Sequence, residues 1–278
     1  MKNNFPRSSF GQALIIMLLV MAAVLTLGLA ASRQITTDIK ITRQQEESAK
    51  AYSAAEAGIE KALSTGETAP LFLETNVSTT VTKEEIGKKD KFGWPNPIAK
   101  GDGMILWLAS HNDAGEIDYS YIYDKPLKIC FQQEKGDTAP AIFVALFYNG
   151  GQGIKYWAFD PAGRGNNFES INEGVCDNIE GKSFSYSKTV DASGVLRPAF
   201  LWIRTFYADH TLLAFDNKAS GKNFPSQGTL FVSTGQVAPT GAANVVSRRL
   251  VSIQTFEQPP QILFKPLVGF AGIEVIKE

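Results

Sequence analysis

The sequence predicts an α+β chain, a long N-terminal membrane-spanning helix followed by a β-rich globular head. Three observations carry that expectation. Residues 13–31 are a run of 19 without a charge. Residues 32–63 contain no proline and are rich in Ala, Glu, Lys and Gln, which favour helix. Beyond residue 90, runs of β-branched and aromatic residues are punctuated by Gly, Asn and Pro, the composition of strands and turns.

The helix comes first. At ~1.5 Å per residue, residues 13–31 span ~28 Å, close to the hydrocarbon thickness of a bilayer. Lys2 and Arg7 precede the run, so the positive-inside rule keeps the N-terminus cytoplasmic and sends everything after Ser32 outward. A removable signal peptide has an apolar stretch of only ~7–15 residues, although Gly28, Leu29 and Ala30 imitate its small-residue cleavage site. The helical pattern also continues past the apolar run. Tyr52, Ala55, Ile59 and Leu63 recur at helical spacing and are expected to dock on the β body. Arg43 with Glu47, and Glu46 with Lys50, place opposite charges four apart. Gly66 and Pro70 punctuate the end. A continuous helix from about 13 to 64 is ~78 Å long. Three fates stay open for it: a cleaved signal, a permanent anchor, or the packing element of a filament subunit.

Residues 66–100 mix a strand signal, a charge run at 83–91 and a Pro/Gly cluster, and they read as a connection with a solvated charged surface. Strands are expected at 104–109, 119–132, 140–148, 154–159, 200–206, 211–215, 228–233 and 245–256. Asn149, Gly150 and Gly151 supply hairpin positions that tolerate positive φ. Residues 160–182 and 216–227 read as long loops. Tyr156 and Trp157 suit either the core or a carbohydrate-binding or other binding surface.

Composition excludes several functions. The 27 basic and 28 acidic side chains nearly cancel, giving a net charge of -1, which offers no electrostatic case for nucleic acid. His111 and His210 lack any zinc-ligand spacing. The stretch "SHNDAGEIDYS" gathers Asn112, Asp113, Glu116 and Asp118 around Gly115, yet it fails the calcium-loop template. "DNKASGKNF" lacks the leading Gly and the Ser/Thr of a phosphate loop and reads as a turn. There is no G-x-S-x-G nucleophile elbow. No metal, cofactor or enzymatic activity is therefore expected. Cys130 and Cys176 suit one disulfide if the head is extracytoplasmic, or two buried thiols. Spacing alone cannot place their Cα atoms within the ~4.4–6.8 Å a bridge needs.

A short basic leader ending in Gly11, an uninterrupted apolar segment and an amphipathic continuation resemble the class III signal of type IV prepilins and of the pseudopilins of type II secretion. "GQALIIMLLVMAAVLTLGLAASRQ" and "AYSAAEAGIEKAL" are similar to segments of PilX-type minor pilins. "LWIRTFYADHTLLAF", "FPSQGTLFVSTGQV" and "VVSRRLVSIQTFEQPPQILF" look like the later part of pilin-like proteins. The resemblance implies a leader at 1–11, a helix at 12–65, a connection at 66–100, a pilin-like head at 101–258 and a tail at 259–278. It further implies cleavage by a prepilin peptidase between Gly11 and Gln12, and N-methylation of Gln12. The implied partners are other pilin subunits, the pilus assembly machinery and the inner membrane; the implied destination is the cell surface or pilus, with roles in assembly and adhesion. Major pilins carry a Glu as the fifth mature residue, where this chain has Ile16. That departure implies a minor subunit.

Overall fold

The computed structural model describes residues 10–171, 174–238, 245–260, 263–264 and 267. Most of the expected leader (residues 1–9) and most of the expected tail (261–262, 265–266 and 268–278) lie outside the described residues. Helix α1 (Phe10–Thr65) is unbroken over 56 residues, or ~84 Å. Its end is set by Gly66, which adopts φ +73° and donates its N–H to the Ala62 carbonyl at 2.9 Å. A left-handed residue just past a helix is cheap only for glycine. The strands begin with β1 (Leu71–Glu74), β2 (Val77–Gly87), β3 (Lys91–Gly93), β4 (Ile98–Ala99), β5 (Gly103–Trp107) and β6 (Ala109–His111). Next come β7 (Ile117–Ile122), β8 (Pro126–Gln133), β9 (Ala141–Tyr148), β10 (Gly153–Asp160), β11 (Glu169–Ser170) and β12 (Cys176–Ile179). The last are β13 (Lys182–Phe184), β14 (Tyr186–Asp191), β15 (Pro198–Phe206), β16 (His210–Asp216), β17 (Ser226–Val237) and β18 (Val246–Thr255). One long apolar N-terminal helix followed by a strand-rich body makes the chain α+β.

Two units divide it: residues 1–82 with 232–251, and residues 83–231 with 252–278. In the first, the end of α1 packs on a sheet of order β1-β2-β17-β18. The expected stripe holds at Ala55, which is buried, and at Ile59, which is half-buried, and is corrected at Tyr52 and Leu63. Ala51, Ala54, Ala55, Gly58 and Ala62 are buried, whereas Tyr52 is 46% and Leu63 41% exposed. Close approach is the reason. A Cβ on Gly58 would lie 2.6 Å from Ser233 Oγ and 2.7 Å from Thr79 Oγ1, two hydroxyls that are themselves hydrogen-bonded at 3.0 Å. A Cβ on Gly235 would collide with the Ala51 carbonyl oxygen and come within 2.6 Å of Ala55 N. Only the smallest side chains fit, so larger apolar residues at 52 and 63 turn outward. Arg248 Nε donates to Ser48 Oγ at 2.8 Å and ties β18 to the helix.

The second unit stacks two sheets, β11-β10-β9-β15-β5 and β14-β8-β16-β3 with β4 on β16. Central strand β9 reads AIFVALFY, and alternate residues serve different cores. Ile142, Val144 and Leu146 pack with Leu127, Ile129, Phe131 and Phe215 of the facing sheet. Phe143, Ala145 and Phe147 pack on the other side with Trp202, Phe200 and Phe264. Burial on both faces explains the unbroken apolar run. Each Val, Leu, Ile or Phe side chain so buried contributes about 1.5–3 kcal/mol.

Several elements differ from the sequence expectation. Residues 66–100 carry β1 to β4; β1 has the burial pattern of an exposed edge, which gives little hydrophobic alternation to read. The charge run contributes the end of β2 and the start of β3, with Ile86 and Phe92 turned inward. The single strand expected at 119–132 is two, β7 and β8, interrupted where Tyr123 is buried and donates its hydroxyl to the Pro126 carbonyl at 3.0 Å. The expected loop at 160–182 contains β11 and β12, and β14 was not anticipated.

Candidate functional site

Among the described residues, α1 carries a long continuous run of exposed apolar side chains. Every described side chain from 14 to 46 is exposed, and none of the apolar stretch is buried. The helix is long and apolar enough to cross a membrane. Ile16 is 63% exposed, and Gly11 and Gln12 lie in the first turns of α1. The hydroxyl of Thr26 donates to the Ala23 carbonyl at 2.9 Å, so the polar group in the apolar run is satisfied within the helix. A hydrocarbon core takes about 20 residues of helix. The apolar exposure runs further. Past Arg33, Ile35 and Ile39 are 60% and 61% exposed one turn apart, and Ile41 is 49% exposed. Glu46 and Lys50 pair at 3.0 Å where the helix approaches its sheet.

In the same unit, a shallow groove of about 300 Å³ runs along Ala49, Ser53 and Ala54 of the helix and Leu73 and Val77 of the sheet. Beside it on β1, Phe72 is 77% exposed.

The sequence-predicted chemistry is distributed across the second unit. Cys130 and Cys176 form a disulfide, with Cα atoms 5.9 Å apart and both residues buried. Closing a loop of 46 residues is worth about 4 kcal/mol in the chain-entropy account. His111 ends β6 and His210 begins β16, in different sheets. In the 110–120 stretch the oxygens are used locally. Asn112 Oδ1 accepts the N–H groups of Ala114 and Glu116 at 3.0 and 2.9 Å, and Asp118 Oδ2 accepts the Ser120 hydroxyl at 2.5 Å. The Ser120 hydroxyl and N–H hold the Asp118 carboxyl below its usual range. Among the described residues no group of three His, Cys, Asp or Glu is placed to hold a metal. Residues 216–220 turn through Lys218 and Ala219 at positive φ, with Asp216 and Asn217 capping them. Tyr156 is 54% exposed, and Trp157 packs against the core.

A second groove, of about 400 Å³, was not foreseen. It lies in the second unit between the β6–β7 tip and residues 257–260. His111 stacks on Phe256 with centroids 3.8 Å apart and planes at 6°, and it meets Trp107 edge-on at 4.5 Å. Trp107 in turn meets Phe200 at 5.3 Å. Among the described residues, Trp107 Nε1 and His111 Nδ1 are buried without a hydrogen-bond partner. Burial lowers the His111 pKa and favours the neutral ring. No protein-family model matches this chain, and no curated protein or solved structure matches it at a significant level.

Proposed function

We propose that this chain is a minor pilin-like or pseudopilin-like subunit, stored in the inner membrane N-in and C-out and then built into a type IV pilus or a related filament. In this reading a prepilin peptidase removes residues 1–11 after Gly11, and Gln12 becomes the N-methylated terminus. Other pilin subunits and the assembly machinery are the partners, and assembly and surface adhesion are the work. One observation supports it above the rest. The apolar exposure of α1 does not stop where lipid would stop but continues through Ile35, Ile39 and Ile41. Lipid covers a length of about 30 Å. A neighbouring helix covers more.

The energetics agree. Twelve large apolar side chains between Leu14 and Leu29 are exposed, and leaving them in water costs on the order of 20 kcal/mol. They must be covered by lipid before assembly and by protein afterwards. The end of the helix is committed to its own sheet through Ala51, Ala54, Ala55, Gly58 and Ala62. Ile16, in place of the usual Glu, removes a carboxylate that would pair with a neighbour's terminal amine. That suits a low-copy subunit.

The mature N-terminus tests the reading. Mass spectrometry of membrane and sheared-filament fractions should find methylated Gln12, and Gly11→Val should retain the leader while the chain still inserts. An intact start in cells with a working peptidase would make the chain a permanently anchored single-pass surface protein with a ligand-binding β domain. Finding it as the dominant filament subunit would remove the minor assignment.

A further inference from the structure

We propose that Asn76 is an N-glycosylation acceptor, modified on the outer side of the membrane; the proposal rests on the N-in, C-out placement of the head. Asn76, Val77 and Ser78 form the N-x-S/T acceptor motif, and no other asparagine of the chain is followed two residues on by Ser or Thr. Glu74 also meets the stricter, acidic form of the motif, D/E-x-N-x-S/T. The motif falls where an acceptor must lie, on a turn at the surface. Thr75 and Asn76 turn the chain from β1 to β2, and residues 72–75 are exposed. Along β2, Val77, Thr79 and Val81 are buried while Ser78 and Thr80 lie on the other face. Phe72, 77% exposed, stands opposite Ser78 in the ladder. An uncovered ring therefore flanks the acceptor, a surface on which the C–H face of a first sugar can rest.

Burial and chain order set when the sugar is added. Val77 is buried with Ala51, Ala54 and Val237, so the motif is partly closed in the folded unit. β2 takes its second neighbour from β17, which begins only at Ser226. A chain that emerges N-terminal part first presents Asn76 on the outer side long before the strand that closes the sheet. In the transfer, the Asn76 amide nitrogen attacks the anomeric carbon of an oligosaccharide carried on a polyisoprenoid pyrophosphate. The carbon–oxygen bond to the phosphate breaks, the nitrogen gives up one proton, and the lipid pyrophosphate leaves; a membrane transferase holds the Ser78 hydroxyl meanwhile. The folded turn survives the modification, because it is the Asn76 carbonyl that accepts the Ala238 N–H at 2.9 Å.

The experiment takes the full chain, extracted in detergent from the membranes of the cells that make it, and reads the tryptic peptide 62–83 by mass spectrometry. A digest without reduction also reports whether Cys130 and Cys176 are linked, the sign that the head has reached an oxidising compartment. Peptide 62–83 should carry an oligosaccharide on Asn76. Asn76→Gln and Ser78→Ala should abolish the added mass, Ser78→Thr should keep it, and all three should keep the bridge. Should a variant fail to fold, the wild-type peptide still decides. An unmodified peptide beside a linked Cys130–Cys176 pair overturns the acceptor and leaves the outward head standing. An unmodified peptide with both thiols free overturns the outward head and the acceptor with it. Added mass that survives Asn76→Gln overturns Asn76 as the site, and added mass that survives Ser78→Ala overturns the motif.

Discussion

Residues 14–41 and residues 51–62 belong to one helix, but they solve opposite problems. The first stretch carries Leu, Ile, Met and Val and buries none of them; the second carries Ala and Gly and buries Ala51, Ala54, Ala55 and Ala62 to within 1%. Side-chain size tracks the distance to the partner. A sheet that comes within backbone contact at Gly235 leaves no room for more than a methyl group. The exposed stretch meets no such limit among the described residues, and there the large side chains collect. Hydrophobicity alone thus misidentifies the docked face, because the most apolar part of α1 is left exposed by the described residues.

The largest effect that can sharpen this contrast is Gly235→Val. Its Cβ would meet the backbone at Ala51 and Ala55, which cannot yield as a side-chain tip would, and it should cost the first unit about 3 kcal/mol. Thermal melting with limited proteolysis near residues 48–62 should show the helix end released; an unchanged melt would mean that the close approach is not what selects small residues. Ala54→Leu should cost about 2 kcal/mol by overpacking. By contrast, Leu27→Ala in the exposed stretch should change the stability of the detergent-bound monomer by no more than about 0.5 kcal/mol. Equal effects at 27 and 54 would break the comparison.

A smaller folding effect with a larger assembly effect is expected for Ile35→Ser combined with Ile39→Ser. Melting should again move by no more than about 0.5 kcal/mol, while the proposed filament role requires that recovery of the protein in sheared filaments fall. Full incorporation of the double variant would show that these isoleucines face no subunit. The smallest effect is a pH dependence that residues 13–32 cannot supply, since they hold no ionisable side chain. His111 has a folded pKa below its ordinary value because burial penalises the charged ring. Its contribution is therefore present above pH ~6.5 and lost as pH falls toward the folded value, because the unfolded chain takes up the proton first. Melting of the wild type should decline faster than that of His111→Phe below pH ~6.5; parallel curves would remove His111 as the cause.

Much of the fold was legible because some patterns have few physical uses. An uncharged run of 19 residues that continues as a proline-free helix former can hardly be anything but a long helix, and AIFVALFY with Asn149, Gly150 and Gly151 after it is a buried strand and its turn. Other elements were hidden by short range. β1 shows an exposed edge and so lacks alternation, and β14 sits between turn-rich segments. Neither the Trp107, His111, Phe200 and Phe256 cluster nor the Cys130–Cys176 bridge has a local signature, since each joins segments 46 or more residues apart.

The sequence by itself determined the existence, length and membrane-spanning capacity of α1 and the strand-rich nature of the chain beyond it, because helix period, charge exclusion and β-branched composition act within a few residues. The tertiary structure alone decided which face of α1 is buried, that residues 232–251 belong with the helix and not with the neighbouring strands, and that two cysteines and four rings meet. Those outcomes depend on how closely distant segments approach, a distance fixed by Gly58 against Ser233 and Gly235 against Ala51 once the chain has closed loops of more than 170 residues.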